Sequence, residues 1–130
     1  MNKAKAEKID HVAISVKDLD QAIKFFGDLL ATEFSEPREI TELNMKSSLD
    51  PLGIELVAAS TPDGVMAKTI ERRGEGLSML SFKVTDLEEA IAEMQSRGVR
   101  LVQRIKGPKR QAALFHPKDL NGVMVELIKG

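Results

Sequence analysis

Hydrophobic positions alternate singly through IDHVAISV, residues 9–16, and then switch to helical spacing. Val12, Ile14 and Val16 fall on one side of the first stretch and His11, Ala13 and Ser15 on the other. A period of two, rich in β-branched residues, predicts a strand. Asp18 stands where a helix N-cap belongs, and Leu19, Ala22, Ile23, Phe26 and Leu30 follow as one apolar stripe. The same order then recurs. Leu80, Phe82 and Val84 make a strand face, Asp86 a cap, and Leu87, Ala90, Ile91 and Met94 a stripe that Gly98 ends. With Met79 placed under His11, an offset of 68, Val16/Val84, Asp18/Asp86, Leu19/Leu87, Ala22/Ala90 and Ile23/Ile91 coincide.

Three short strands are predicted after each helix, near 33–38, 41–48 and 53–59 and again near 99–104, 110–116 and 122–129. Turn signals at Gly107-Pro108, His116-Pro117 and Asn121-Gly122 divide the second set. The last strands also match, GIELVAA against GVMVELI, with Glu55 under Glu126 at an offset of 71. The chain therefore reads as one α+β domain, 1–130, built from a duplicated βαβββ unit. Module one covers about 8–60, a linker with a helical turn or two around Val65–Arg72 covers about 61–75, and module two covers about 76–129. Each helix covers one sheet face and leaves the other to curl around something.

Alternation assigns that uncovered face. If Val12, Ile14 and Val16 lie under the helix, His11, Ala13 and Ser15 face away from it, as do Met79, Ser81 and Lys83 in the second copy. In the final strands Glu55 and Val57, and Glu126 and Ile128, point the same way. Glu42, Asn44 and Lys46, alternating with Leu43 and Met45, add a further carboxylate. One imidazole and two carboxylates converging on a concave surface suit a divalent metal ion. Met79 at the fourth equivalent position is a neutral thioether, a poor donor for a hard cation, so the set gives at most three protein ligands and a weakened site.

Composition narrows the classes. The chain has no Cys, which excludes a disulfide scaffold, thiolate zinc sites and a cysteine nucleophile. A formal net charge of −1 gives no general attraction to nucleic acid or to an anionic membrane. The start, MNKAKAEK, is charged and unlike a signal peptide, and no apolar run approaches the roughly 20 residues that span a bilayer. The expectation is a cytoplasmic protein that binds neither nucleic acid nor membrane.

The segments IDHVAISVKDLDQAIKFF and LFHPKDLNGVMVELIKG, with GIELVAAS and VTDLEEAIAEMQSRGVRLV between them, resemble the vicinal oxygen chelate superfamily, and within it most of all methylmalonyl-CoA epimerases. The resemblance implies two βαβββ modules forming one cupped, mixed eight-stranded sheet with helices on its outer face, often as a homodimer. It implies a divalent ion (cobalt, zinc, nickel or manganese) on His11, Glu55 and Glu126, and an acyl-CoA substrate. The family's fourth ligand, a His in the pattern GxHHI, maps to Met79 in GLSML. The resemblance also implies Glu126 and Glu42 as the two bases that exchange the proton α to the thioester, with Glu42 placed by TELNM.

Alternatives of other classes stay open. A metal-free small-molecule-binding member of the same fold needs no ligand set, and a glyoxalase-type lyase needs one resembling the set here. An extradiol dioxygenase needs two histidines and a carboxylate. The chain has only His11 and His116, and His116 lies on a predicted turn. Lys106, Lys109 and Arg110 form a basic loop read chiefly as solvated, with coenzyme A phosphates as the other reading.

Overall fold

The computed structural model describes residues 5–129, so the first half of the charged N-terminal run lies outside the described residues. The elements run β1 (Ala6–Ser15), α1 (Leu19–Leu30), β2 (Arg38–Ile40), β3 (Met45–Leu49), β4 (Ile54–Ala59), α2 (Val65–Arg73), β5 (Gly76–Val84), α3 (Leu87–Ser96), β6 (Leu101–Lys106), β7 (Gln111–Phe115) and β8 (Met124–Lys129). The strands belong to one mixed eight-stranded sheet in the order β2-β3-β4-β1-β5-β8-β7-β6. The predicted α+β duplication is thus the observed one. The chain forms two compact units, residues 12–78 and a second unit that joins the chain up to His11 with Met79 onward. None of the described helices is long and apolar enough to cross a membrane.

In the 12–78 unit, β1 pairs in parallel with β4, and β4 and β2 flank β3 antiparallel. Asp18 caps α1 by accepting from the Gln21 amide at 3.1 Å. The stripe of α1 then lays Leu19, Ala22, Ile23 and Phe26 on Ile14, Val16, Ile54, Leu56 and Ala58. Leu30 leaves the stripe at the last turn, where Ala31 takes the left-handed conformation, and is 44% exposed. The second unit repeats the scheme. Asp86 accepts from the Glu89 amide at 3.1 Å, and Leu87, Ala90, Ile91 and Met94 pack on Phe82, Val84, Ala113, Phe115, Val125 and Leu127.

Two strand predictions in module one differ from the structure. The stretch 33–38 is not a strand until Arg38, because Pro37 has no amide for a ladder. Side-chain bonds hold the segment instead, with the Ser48 hydroxyl donating to the Ser35 carbonyl at 2.5 Å and Thr32 to Asp50 at 2.8 Å. The predicted strand 41–48 begins only at Met45. Thr41–Leu43 form a 3-10 turn closed by Asn44, whose φ of 50° lies in the left-handed region that Asn tolerates. Alternation fails across that turn, so Glu42 does not share a strand face with Glu55. Lys46 stands opposite Ala58, on the helix-covered side, and Ser47 opposite Val57 takes the other side.

Arg100, just before β6, grips Asp119 through its backbone amide at 3.0 Å and its guanidinium at 2.9 Å. These bonds, from the guanidinium first, hold the Asp119 carboxyl down at about 2. A carboxyl with a depressed folded-state value contributes stability above its unfolded value, near 3.8, and loses it as pH falls toward 2. Urea unfolding of Asp119→Ala and the parent should therefore differ most above pH 4 and converge as pH approaches 2. A gap that stays constant over that window would refute the ion pair's role.

Candidate functional site

His11 lies just past the middle of β1, where strand alternation turns its ring away from the α1 side, and it is only 5% exposed. A buried imidazole needs partners for both ring nitrogens. Nδ1 lies 2.7 Å from Asp10 Oδ2, and Nε2 lies 3.4 Å from Glu126 Oε1. Arg110 Nη2 meets the same Asp10 oxygen at 2.9 Å. Burial alone would raise the Asp10 carboxyl, but the hydrogen bonds from His11 and Arg110 and their charges outweigh it and hold the group below the usual carboxylate range.

Glu126 stands on β8, flanked by the apolar Val125, Leu127 and Ile128, and is 6% exposed. Ser81, directly opposite it on β5, is fully buried and donates its hydroxyl to Oε1 at 2.7 Å. The structure thus gathers Arg110, Asp10, His11, Glu126 and Ser81 into one continuous polar chain inside a single unit.

The duplication holds at the level of register. Ala13 stands opposite Glu55 in the 12–78 unit, and Ser81 stands opposite Glu126 in the other. These are the same two offsets that align the sequence copies. Glu55 is 6% exposed on β4 and equivalent in register to Glu126. Met79 is partly buried opposite Met124. Glu42 is exposed on its 3-10 turn. His116 lies on the turn before β8, where its Nδ1 accepts from the Lys118 amide at 3.1 Å, as its turn position predicts.

The chemistry of the pair suits a cation. With Nδ1 directed at the Asp10 carboxylate, Nε2 is the ring nitrogen turned toward Glu126 Oε1. A nitrogen and a carboxylate oxygen at this separation suit a positive centre, either a second proton on the ring or a metal ion. Two ligands at about 2.0–2.1 Å from one tetrahedral ion lie roughly 3.4 Å apart. The Asp10 carboxylate behind the ring is the partner that metal-bound histidines usually have. These residues therefore fit a divalent ion, although among the described residues no group of three or more His, Cys, Asp or Glu is gathered as a ready-made site.

The sequence placed His11, Ser81 and Glu126 on one face with no role for Ser81, gave no role to Asp10, and read Arg110 as part of a solvated basic loop, whereas the structure pairs it with Asp10. Asp10 carried one signal, a charge directly before His11 inside a strand. Nothing near Arg110 pointed to Asp10, because the two are 100 positions apart.

Comparisons with known proteins bear on the family and the fold. The chain is 27% identical over 128 residues to the uncharacterised protein YqjC of Bacillus subtilis strain 168, covering 92% of this chain and 90% of that one. It is 28% identical over 127 residues to human mitochondrial methylmalonyl-CoA epimerase, covering 92% of this chain and 72% of the relative. The crystal structure of methylmalonyl-CoA epimerase from Mycobacterium tuberculosis superposes with a TM-score of 0.86 at 31% identity, covering 95% of this chain and 88% of that one. Residues 10–117, which include the His11 strand, both capped helices and the β6–β7 hairpin, match one family pattern. The chain belongs to the glyoxalase/bleomycin resistance protein/dioxygenase superfamily.

Proposed function

We propose that the protein is an epimerase-type isomerase that moves the proton at the α-carbon of an acyl-CoA thioester of the methylmalonyl-CoA kind. The observation that carries this reading is the buried His11–Glu126 pair at 3.4 Å, with Asp10 behind the imidazole and Ser81 on the carboxylate. The named relatives support the substrate class. In this reading His11, Glu126 and Glu55, the register counterpart of Glu126, hold a divalent ion (cobalt, zinc, nickel or manganese). The working form is a cytoplasmic homodimer.

A proton α to a thioester is weakly acidic, so its removal requires that the resulting negative charge be stabilised. A divalent ion held by these residues would supply that stabilisation as a Lewis acid. The chain supplies the proton transfers. Glu126, with Oε1 oriented by Ser81, takes the proton from one face of the carbon. Glu42 is the base for the opposite face, and its position on a turn rather than within a strand leaves its side chain accessible. Inversion requires both, because a single carboxylate would return the proton to the face it left.

Protein purified without a chelating tag should carry one equivalent of divalent metal or take up one equivalent of cobalt, and should bring solvent deuterium into C2 of methylmalonyl-CoA. Glu126→Gln should lower that exchange at least about 100-fold. Glu42→Gln should retain exchange on one enantiomer while losing interconversion of the two. Protein that takes up no cobalt and exchanges no proton would end this reading.

Met79 supports a second reading, a metal-free small-molecule-binding member of the fold, because a thioether adds nothing to a hard cation's shell. Chelation separates the two, since ligand binding by a metal-free module is unaffected by a strong chelator. Under the epimerase reading, Met79→His should tighten cobalt binding by about tenfold or more, the equivalent of roughly 1.4 kcal/mol. Unchanged affinity would show that residue 79 does not face the ion.

A further inference from the structure

We infer that Asp10 and Arg110 act together as a positioning device that fixes which nitrogen of His11 carries hydrogen and which way the ring points. The inference deepens the proposed reaction site and takes its interest from the metal-ligand reading of His11. Its central measurement, however, needs neither metal nor substrate.

An ionised carboxylate can only accept, so the 2.7 Å contact with Asp10 Oδ2 places hydrogen on His11 Nδ1. The ring is rigid, so fixing Nδ1 also aims Nε2, which lies 3.4 Å from Glu126 Oε1. A lone Asp10 could rotate about its last torsion and release the ring. Arg110 restrains it by binding the same oxygen at 2.9 Å. A guanidinium stays charged and directs its donors in a plane, so it holds both the ionisation and the orientation of that carboxylate. The side chains of Asp10 and His11 are 15% and 6% exposed, which limits competition from water. Arg110 sits just before β7, so the β6–β7 hairpin restrains a residue of β1 in the same compact unit. This also gives a role to one of the three basic residues of the 106–110 loop.

A simple strand-fastening ion pair would give the same distances, so the test must read the ring itself. The chain contains two histidines, which makes long-range proton–nitrogen NMR correlation of the 15N-labelled imidazoles readily assignable. His116 is the internal reference, because its Nδ1 accepts from the Lys118 amide and its hydrogen must therefore lie on Nε2. Spectra are recorded on metal-free protein at about pH 8, above the ordinary imidazole value near 6.5. His11 should show hydrogen on Nδ1, opposite to His116. Asp10→Ala should move it to Nε2, Arg110→Gln should give a mixture of the two, and neither variant should alter the His116 signals, which report an intact fold. Cobalt affinity should fall about 10–100-fold in Asp10→Ala, the usual effect of losing such a partner. Hydrogen on Nε2 of His11 in the parent protein, or an Nδ1 signal unmoved in both variants, would overturn the inference. A parent protein with hydrogen on Nδ1 that binds no cobalt would sink the metal reading and leave the positioning role standing.

Discussion

A carboxylate and an imidazole buried side by side constrain everything around them. Each is costly to remove from water and needs a positive centre or hydrogen-bond donors beside it, and the two lie 3.4 Å apart. The fold supplies donors on both flanks, Ser81 to Glu126 and Arg110 to the carboxylate behind His11. An apolar pair would have packed as well in these strands, so the polar chain does not serve packing. Its arrangement holds one nitrogen and one oxygen at a fixed separation.

Duplication explains how so short a chain builds such a site. Both copies bury an apolar helix stripe on one sheet face, which commits the alternate strand positions to the other face. Glu55 and Glu126 come to matching places because each stands opposite the same position of its module's first strand, Ala13 or Ser81. The difference between these two residues matters. Ser81 gives Glu126 a hydroxyl donor, and Ala13 has none to give Glu55. The copies have therefore diverged at the position opposite each carboxylate.

Much of this was legible in the sequence because it rests on local periodicity. The two Asp caps, the two stripes, the linker helix from Val65 and the faces of β1, β4, β5 and β8 all follow from spacing alone. The errors arose where local chemistry overrode periodicity. Pro37 delayed β2, and Asn44 in a left-handed conformation turned an apparent strand around Glu42 into a 3-10 turn. The pairing of Asp10 with Arg110 went unread for another reason. Their link joins residues 100 positions apart, and nothing in the neighbourhood of either residue announces the other.

Met79 shows how far fold and chemistry can be separated. The strand tolerates it readily, since a thioether fills space between β5 and β8 against Met124, and no packing argument would distinguish it from an imidazole there. The chemistry is less tolerant, because a site with one imidazole and acidic partners carries more negative charge per ligand than one with two. Such a set favours a hard, highly charged ion and leaves more of its coordination sphere to substrate oxygens and water. In the proposed metal site, Met79 in place of an imidazole would shift binding strength from protein to substrate. In that proposed set His11 would be the only nitrogen donor, which would make its restraint by Asp10 and Arg110 more consequential than beside a second histidine.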